Sequence, residues 1–170
     1  MAAIQMVTGV IASLANMLRI RGGPQHLPAS WPLMIFMVSV FLVQNLITGQ
    51  QLHDESAAAK SLLAMVLQVV VLMGLLYWRQ HPERFVQTLT ALTGVNIFFT
   101  AINWILLAQI DPVKDQTLLF LTWFAVFIWS LFVDAHIYRN ALSVPLRIGM
   151  LITVLALAAS YTLIEMIFLV

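Results

Sequence analysis

The residues best suited to chemistry sit inside an otherwise apolar stretch, where Thr93, Asn96, Thr100 and Asn103 recur every three or four positions. On a helix that spacing puts two hydroxyls and two amides on one face. Groups of this kind in hydrocarbon seek partners, and bonds between helices contribute about 0.6 to 2 kcal/mol each. Two uses of the stripe follow. It is glue, bonded to Gln44 and Asn45 on one neighbouring segment and to Gln68 on another, or it is the wall of a polar path or ligand pocket.

The other chemically active groups are less convergent. Glu165 is an acid within an apolar run, and an ionisable residue in lipid is a functional candidate. Counted from Leu146, however, it lies ~28 Å along at about 1.5 Å per residue, close to the far interface. His26, His53, His81 and His136 all map to the ends of apolar runs or beyond them, which disfavours a haem held between helices. Asp134, His136, Tyr138 and Arg139 gather at what reads as the end of a span. Positions two apart diverge by about 200° on a helix, a poor arrangement for joint ligation, so the expectation is a hydrated helix end. His53, Asp54 and Glu55 are adjacent in a loop and do not form a preorganised metal site. With no cysteine, and no serine triad, phosphate loop or paired catalytic carboxylates, the sequence predicts no enzyme, no metal and no cofactor.

What must position these residues is a membrane-spanning bundle. Of the 170 residues, 62% are hydrophobic and 9% charged, outside the range of soluble domains. A net charge of +1 with no basic cluster excludes nucleic acid as a partner. A spanning helix needs about 20 mostly apolar residues. The chain supplies five, at about Trp31 to Gln50, Lys60 to Trp78, Phe85 to Ala108, Gln116 to Asp134 and Leu146 to Phe168. Residues 31–170 are thus a five-helix transmembrane domain. Residues 1–30 hold an amphipathic helix and a proline-containing link. In that helix Ile4, Val7, Ile11, Leu14 and Leu18 form an apolar stripe, with Arg19 and Arg21 following as membrane-surface contacts before Gly22-Gly23-Pro24. The expected fold class is therefore an all-α integral membrane protein, five spans preceded by an interfacial helix. The first residues lack the basic region of a secretory signal, so no cleaved peptide is expected.

Basic residues are retained on the cytoplasmic side during insertion. With the amino terminus inside, Arg19, Arg21, Arg79, Arg84, Arg139 and Arg147 are cytoplasmic, and only Lys60 and Lys114 lie opposite. The carboxyl terminus then falls outside.

Three stretches carry a family resemblance: RGGPQHLPASWPL before the first span, RQHPERFVQTLTALTGVNIFF into the third, and WSLFVDAHIYRNALSVPLRIGM into the fifth. Over roughly Leu18 to Phe168 the layout resembles the YIP family, named for Ypt/Rab-interacting proteins, small membrane proteins with five clustered spans. The glycine- and tyrosine-rich motifs of its eukaryotic members are absent, and the short loops are similar to bacterial forms, which implies an inner-membrane address. The resemblance implies a fold, and no reaction, substrate or cofactor.

The function expected from these features is non-enzymatic: organising or binding lipids, other membrane proteins or further copies of the chain. A small oligomeric channel or transporter is the alternative. Reporter fusions after Gln50, Trp78, Gln109 and Val170 should read outside, inside, outside and outside; a cytoplasmic Val170 would overturn the five-span topology.

Overall fold

The computed structural model describes residues 2–52, 55–110 and 116–168, with side chains from Gln5 onward. Among them every regular element is helical: α1 (Ala2–Leu18), α2 (Trp31–Gln51), α3 (Ala57–Trp78), α4 (Phe85–Leu107), α5 (Thr117–Leu142) and α6 (Leu146–Phe168). The five from α2 onward are long and apolar enough to cross a membrane. His53, Asp54, Asp111, Lys114 and Asp115 fall outside the described residues.

Helix ends follow local chemistry. Ser30 caps α2, its Oγ accepting from the Leu33 N–H at 3.4 Å, with proline in the first turn where a missing N–H costs nothing. The α3–α4 connection is short, and Gln80 takes a left-handed φ of 59° to make it. At the end of α5, Ser143 turns left-handed (φ 54°) and Pro145 follows, so the chain cannot continue as helix. This is well beyond the Asp134 end expected for the fourth span. Asp134, His136 and Arg139 are compatible with a helix, and the first real breaker comes only after Leu142. The expected hydrated helix end is instead two further turns of packed helix, with Ala135, His136, Ile137 and Tyr138 all buried.

The spans close into a ring. α2 packs against α3 and α4, α4 against α5, α5 against α6, and α6 returns to α3. Half of the most apolar window of α4 is buried against 11% for α2 and 6% for α6, so α4 is the most deeply packed of the spans. The fully buried side chains Leu72, Leu76, Leu89, Ile137 and Leu142 lie toward the end of the ring that carries the α3–α4 and α5–α6 turns. Arginines close the same end. Arg84 Nη1 donates to the Ala141 carbonyl at 3.0 Å and to Ser143 Oγ at 2.9 Å, and Arg79 Nε donates to the Leu142 carbonyl at 3.3 Å. These carbonyls have no partner within α5, and the positive charge suits the helix terminus.

α1 is docked on the bundle. Val10 and Met17 are buried, Leu14 packs over Gly94 of α4, and Trp129 Nε1 of α5 donates to the Leu18 carbonyl at 3.0 Å. Trp129 is itself held edge-on to Phe98 and Phe99, with ring centroids 5.9 and 5.1 Å away. The stripe expected on this helix therefore divides: Leu14 and Leu18 turn to the bundle, whereas Val7 and Ile11 stay exposed.

α5 and α6 approach closely at Gly149, where a Cβ would collide with the Ala135 carbonyl oxygen and lie 3.2 Å from the Arg139 nitrogen. Gly149→Ala should push the pair apart and cost about 1 to 3 kcal/mol, read as a lower Tm in detergent. Gly74→Ala is the control: nothing lies within 4 Å of its Cβ, and its Tm should hold or rise.

Candidate functional site

Each spanning helix contributes polar residues to the middle of the ring, and they meet around a cavity of about 360 Å³. α2 supplies Asn45, α3 Gln68, α4 Asn96, Thr100 and Asn103, α5 Ser130, Asp134 and Tyr138, and α6 Thr153 and Ser160. The apolar wall includes Phe41, Leu92, Phe99 and Phe127. Toward the arginine-bearing end Leu72, Leu89 and Ile137 are sealed, so the cavity has a packed floor there.

Several of these polar groups are satisfied within their own helices. Asn45 Nδ2 donates to the Phe41 carbonyl at 2.8 Å, Ser130 Oγ to Phe127 at 2.8 Å, and Thr153 Oγ1 to Gly149 at 3.0 Å. Such back-bonding costs a span little. Asp134 differs. Its Oδ1 is buried with no hydrogen-bond partner among the described residues, and it is the one carboxylate among the lining side chains.

Next to the cavity, a groove of about 560 Å³ runs between α4 and α5, with Thr48 of α2 and Leu52 just beyond it at one edge. Its walls are aromatic: Phe99, Trp104, Phe120, Trp123, Phe124 and Phe127. Trp104 is pinned by its Nε1 donating to Thr48 Oγ1 at 2.6 Å, whereas Trp123 Nε1 is buried without a partner among the described residues. Groove and cavity share Phe99, Asn103, Phe127 and Ser130, so the two spaces adjoin.

The predicted stripe is divided by this geometry. Thr93 is fully buried and donates to the Leu89 carbonyl of its own helix at 2.7 Å, away from the cavity. Asn96, Thr100 and Asn103 line the cavity, but not through bonds to the expected partners. Gln44 Nε2 donates instead to the Ile97 carbonyl at 3.5 Å, and Asn45 stays within α2. Glu165 is half-buried near the end of α6 and is not among the cavity residues. Arg19 and Arg21 are exposed. Sequence reasoning missed the α5 wall, although Ser130, Asp134 and Tyr138 at four-residue spacing share one face and carried the signal. Among the described residues no three His, Cys, Asp or Glu side chains gather where a metal ion would sit.

His136, expected at the boundary, is buried and its Nε2 meets the Gly22 carbonyl at 2.6 Å. Gln87 Nε2 donates to the Leu27 carbonyl at 2.6 Å. Together they fasten the link between α1 and α2 across α4 and α5, with Leu27 buried beneath it.

Fold and site together define a polytopic α-helical membrane protein with a cavity lined by polar residues from all five spans. No protein-family model, curated protein or solved structure matches this chain.

The two sets of polar residues predict opposite responses. His136→Ala strands the Gly22 carbonyl and should cost about 1 to 3 kcal/mol, seen as a lower Tm in detergent. Asn96→Leu removes no hydrogen bond between described residues and should leave Tm unchanged or higher. An equal drop in both would contradict this assignment.

Proposed function

We propose that the protein is a non-enzymatic, membrane-embedded binding protein that takes an amphipathic, lipid-like molecule sideways from the bilayer. The observation that carries this reading is the junction at Phe99, Asn103, Phe127 and Ser130, where an aromatic groove adjoins a polar cavity. An apolar chain fits the groove and a polar head fits the cavity, the combination of apolar walls and a few convergent polar groups typical of ligand sites. Among the described residues the cavity lining offers a single carboxylate and no histidine, lysine or second acid, a poor basis for acid–base chemistry. Contacts with other membrane proteins are a further use of the bundle's exposed apolar faces, such as Val66, Val70 and Tyr77 along α3.

The address belongs to the same proposal: a bacterial inner membrane, amino terminus cytoplasmic and carboxyl terminus outside, in line with the arginines at one end of the ring. Membership of the YIP family is proposed on the three stretches that resemble it. Transport is the second reading, favoured by polar residues on all five spans; the packed floor at Leu72, Leu89 and Ile137 weighs against a continuous pore through one chain.

Ser130→Phe would fill the junction without touching the packed end of the ring. Mass spectrometry of protein purified in mild detergent should find bound lipid on the wild type and roughly fivefold less on the variant, as expected when about 1 kcal/mol of binding is lost. Equal retention, or none on either, would remove the binding reading. Ion or solute flux from the wild type in proteoliposomes would put transport in its place.

A further inference from the structure

The cavity's polar groups are not interchangeable, and their charges have one sign. Asn45, Gln68, Asn96, Thr100 and Ser160 are neutral, Asp134 is acidic, and among the described residues no Lys, Arg or His lines the cavity. The bundle's arginines are engaged elsewhere or face outward: Arg79 and Arg84 cap α5, and Arg19, Arg21, Arg139 and Arg147 are exposed. An ionised carboxylate at this depth is expensive unless a cation or several donors meet it, and Asp134 Oδ1 has neither among the described residues. An anionic head in the same space would face like charge at low dielectric. A cationic head would pair with the carboxylate and could also lie against the faces of Phe99 and Phe127, which line both the cavity and the groove.

We infer that the cavity is a site for an organic ammonium group, with Asp134 as its counter-ion and Asn96, Thr100 and Gln68 as the polar groups around it. This rests on the amphiphile-binding reading and specifies the head group. At about 360 Å³ the cavity stands at the small end of ligand sites, the size for a compact amine or quaternary ammonium head and not for a sugar chain. The source of the ammonium group is a membrane amphiphile or a free small cation. The adjoining aromatic groove favours the first, because a tail would leave the head group in the cavity and remain in apolar surroundings.

The test is binding to the full chain in lipid nanodiscs, followed by equilibrium dialysis with labelled probes below their micellar concentrations. The probes are dodecyltrimethylammonium, a neutral amphiphile of the same tail, and tetramethylammonium. The proteins are wild type, Asp134→Asn, Asp134→Glu and Ser130→Phe. Dodecyltrimethylammonium should bind wild type saturably and bind Asp134→Asn on the order of tenfold to a hundredfold more weakly, with recovery in Asp134→Glu. The neutral amphiphile should bind wild type and Asp134→Asn alike, which also shows that the variant is folded, and Ser130→Phe should weaken both tailed probes. Tighter binding of the tailed cation than of tetramethylammonium identifies a membrane amphiphile as the source; equal, Asp134-dependent binding identifies a free cation, and either supports the ammonium site. Equal affinity of dodecyltrimethylammonium for wild type and Asp134→Asn overturns the ammonium site and leaves amphiphile binding standing. Failure of both tailed probes to bind wild type saturably overturns both readings.

Discussion

In hydrocarbon a peptide group has no water to bond, so each carbonyl and N–H must find its partner within the protein. The five spans meet that demand internally, and the chain's remaining architecture deals with the places where they cannot. The last carbonyls of α5 are met by Arg79 and Arg84 from the neighbouring turn. Two carbonyls of the irregular link between α1 and α2, those of Gly22 and Leu27, are met by His136 and Gln87. Trp129 reaches across to the Leu18 carbonyl at the end of α1. These side chains are long or aromatic, and each covers apolar surface while its polar tip bonds backbone. One end of the molecule is thereby tied by side-chain-to-backbone bonds between segments distant in sequence.

That arrangement produces an uneven bundle. Where the bonds concentrate, small residues permit close approach: Gly149 lets α6 lie against the α5 backbone, and Gly94 admits Leu14 of α1. Leucine, isoleucine and valine side chains there, such as Leu72, Leu76, Ile137 and Val133, are at zero exposure. Toward the other end large aromatics on α4 and α5 hold the two helices apart, with Trp104, Phe120, Trp123 and Phe124 lining the gap. Apolar residues packed on lipid or on one another are nearly equivalent in energy, so little drives those walls together. The groove and cavity follow from a tight end and a splayed end on the same five helices.

Much of this was legible in the residues. The starts of α2, α4, α5 and α6 fall within one residue of positions read from hydropathy and turn signals, and α3 begins only slightly earlier than expected. The polar face of α4 was legible too, since a 3.6-residue period needs no tertiary information. The end of α5 was not, because charge in the sequence suggests a boundary at Asp134 and Arg139, while the breaking residues, Ser143 and Pro145, lie later. Docking of α1 was equally hidden, since an apolar stripe does not say whether protein or lipid will cover it. The cavity itself is a deficit of volume between five helices, and no single segment encodes it. Ser130, Asp134 and Tyr138 shared a face in the sequence, but only the packing of α6 and α3 turns that face into a wall.

The chemistry of the cavity bears on what it is for. Serine and threonine can return their hydroxyls to their own helix, as Ser130 and Thr153 do, so their presence demands no ligand. An amide is harder to satisfy this way, because Asn96 and Gln68 each carry donors and an acceptor, and a leucine in either place would pack without them. A bundle optimised for stability alone would fill the space with such residues, since polar-to-apolar exchange of a buried group is often neutral or favourable. Water would satisfy the amides and would account for them as filler. It does less for Asp134: its Oδ1 is buried, and a carboxylate with a buried oxygen keeps part of its desolvation cost even with one or two waters. The residue that water and helix backbone relieve least is also the one that gives the cavity a sign. An electrostatic preference for cations follows from that single side chain, whatever the shape of the molecule that carries the charge.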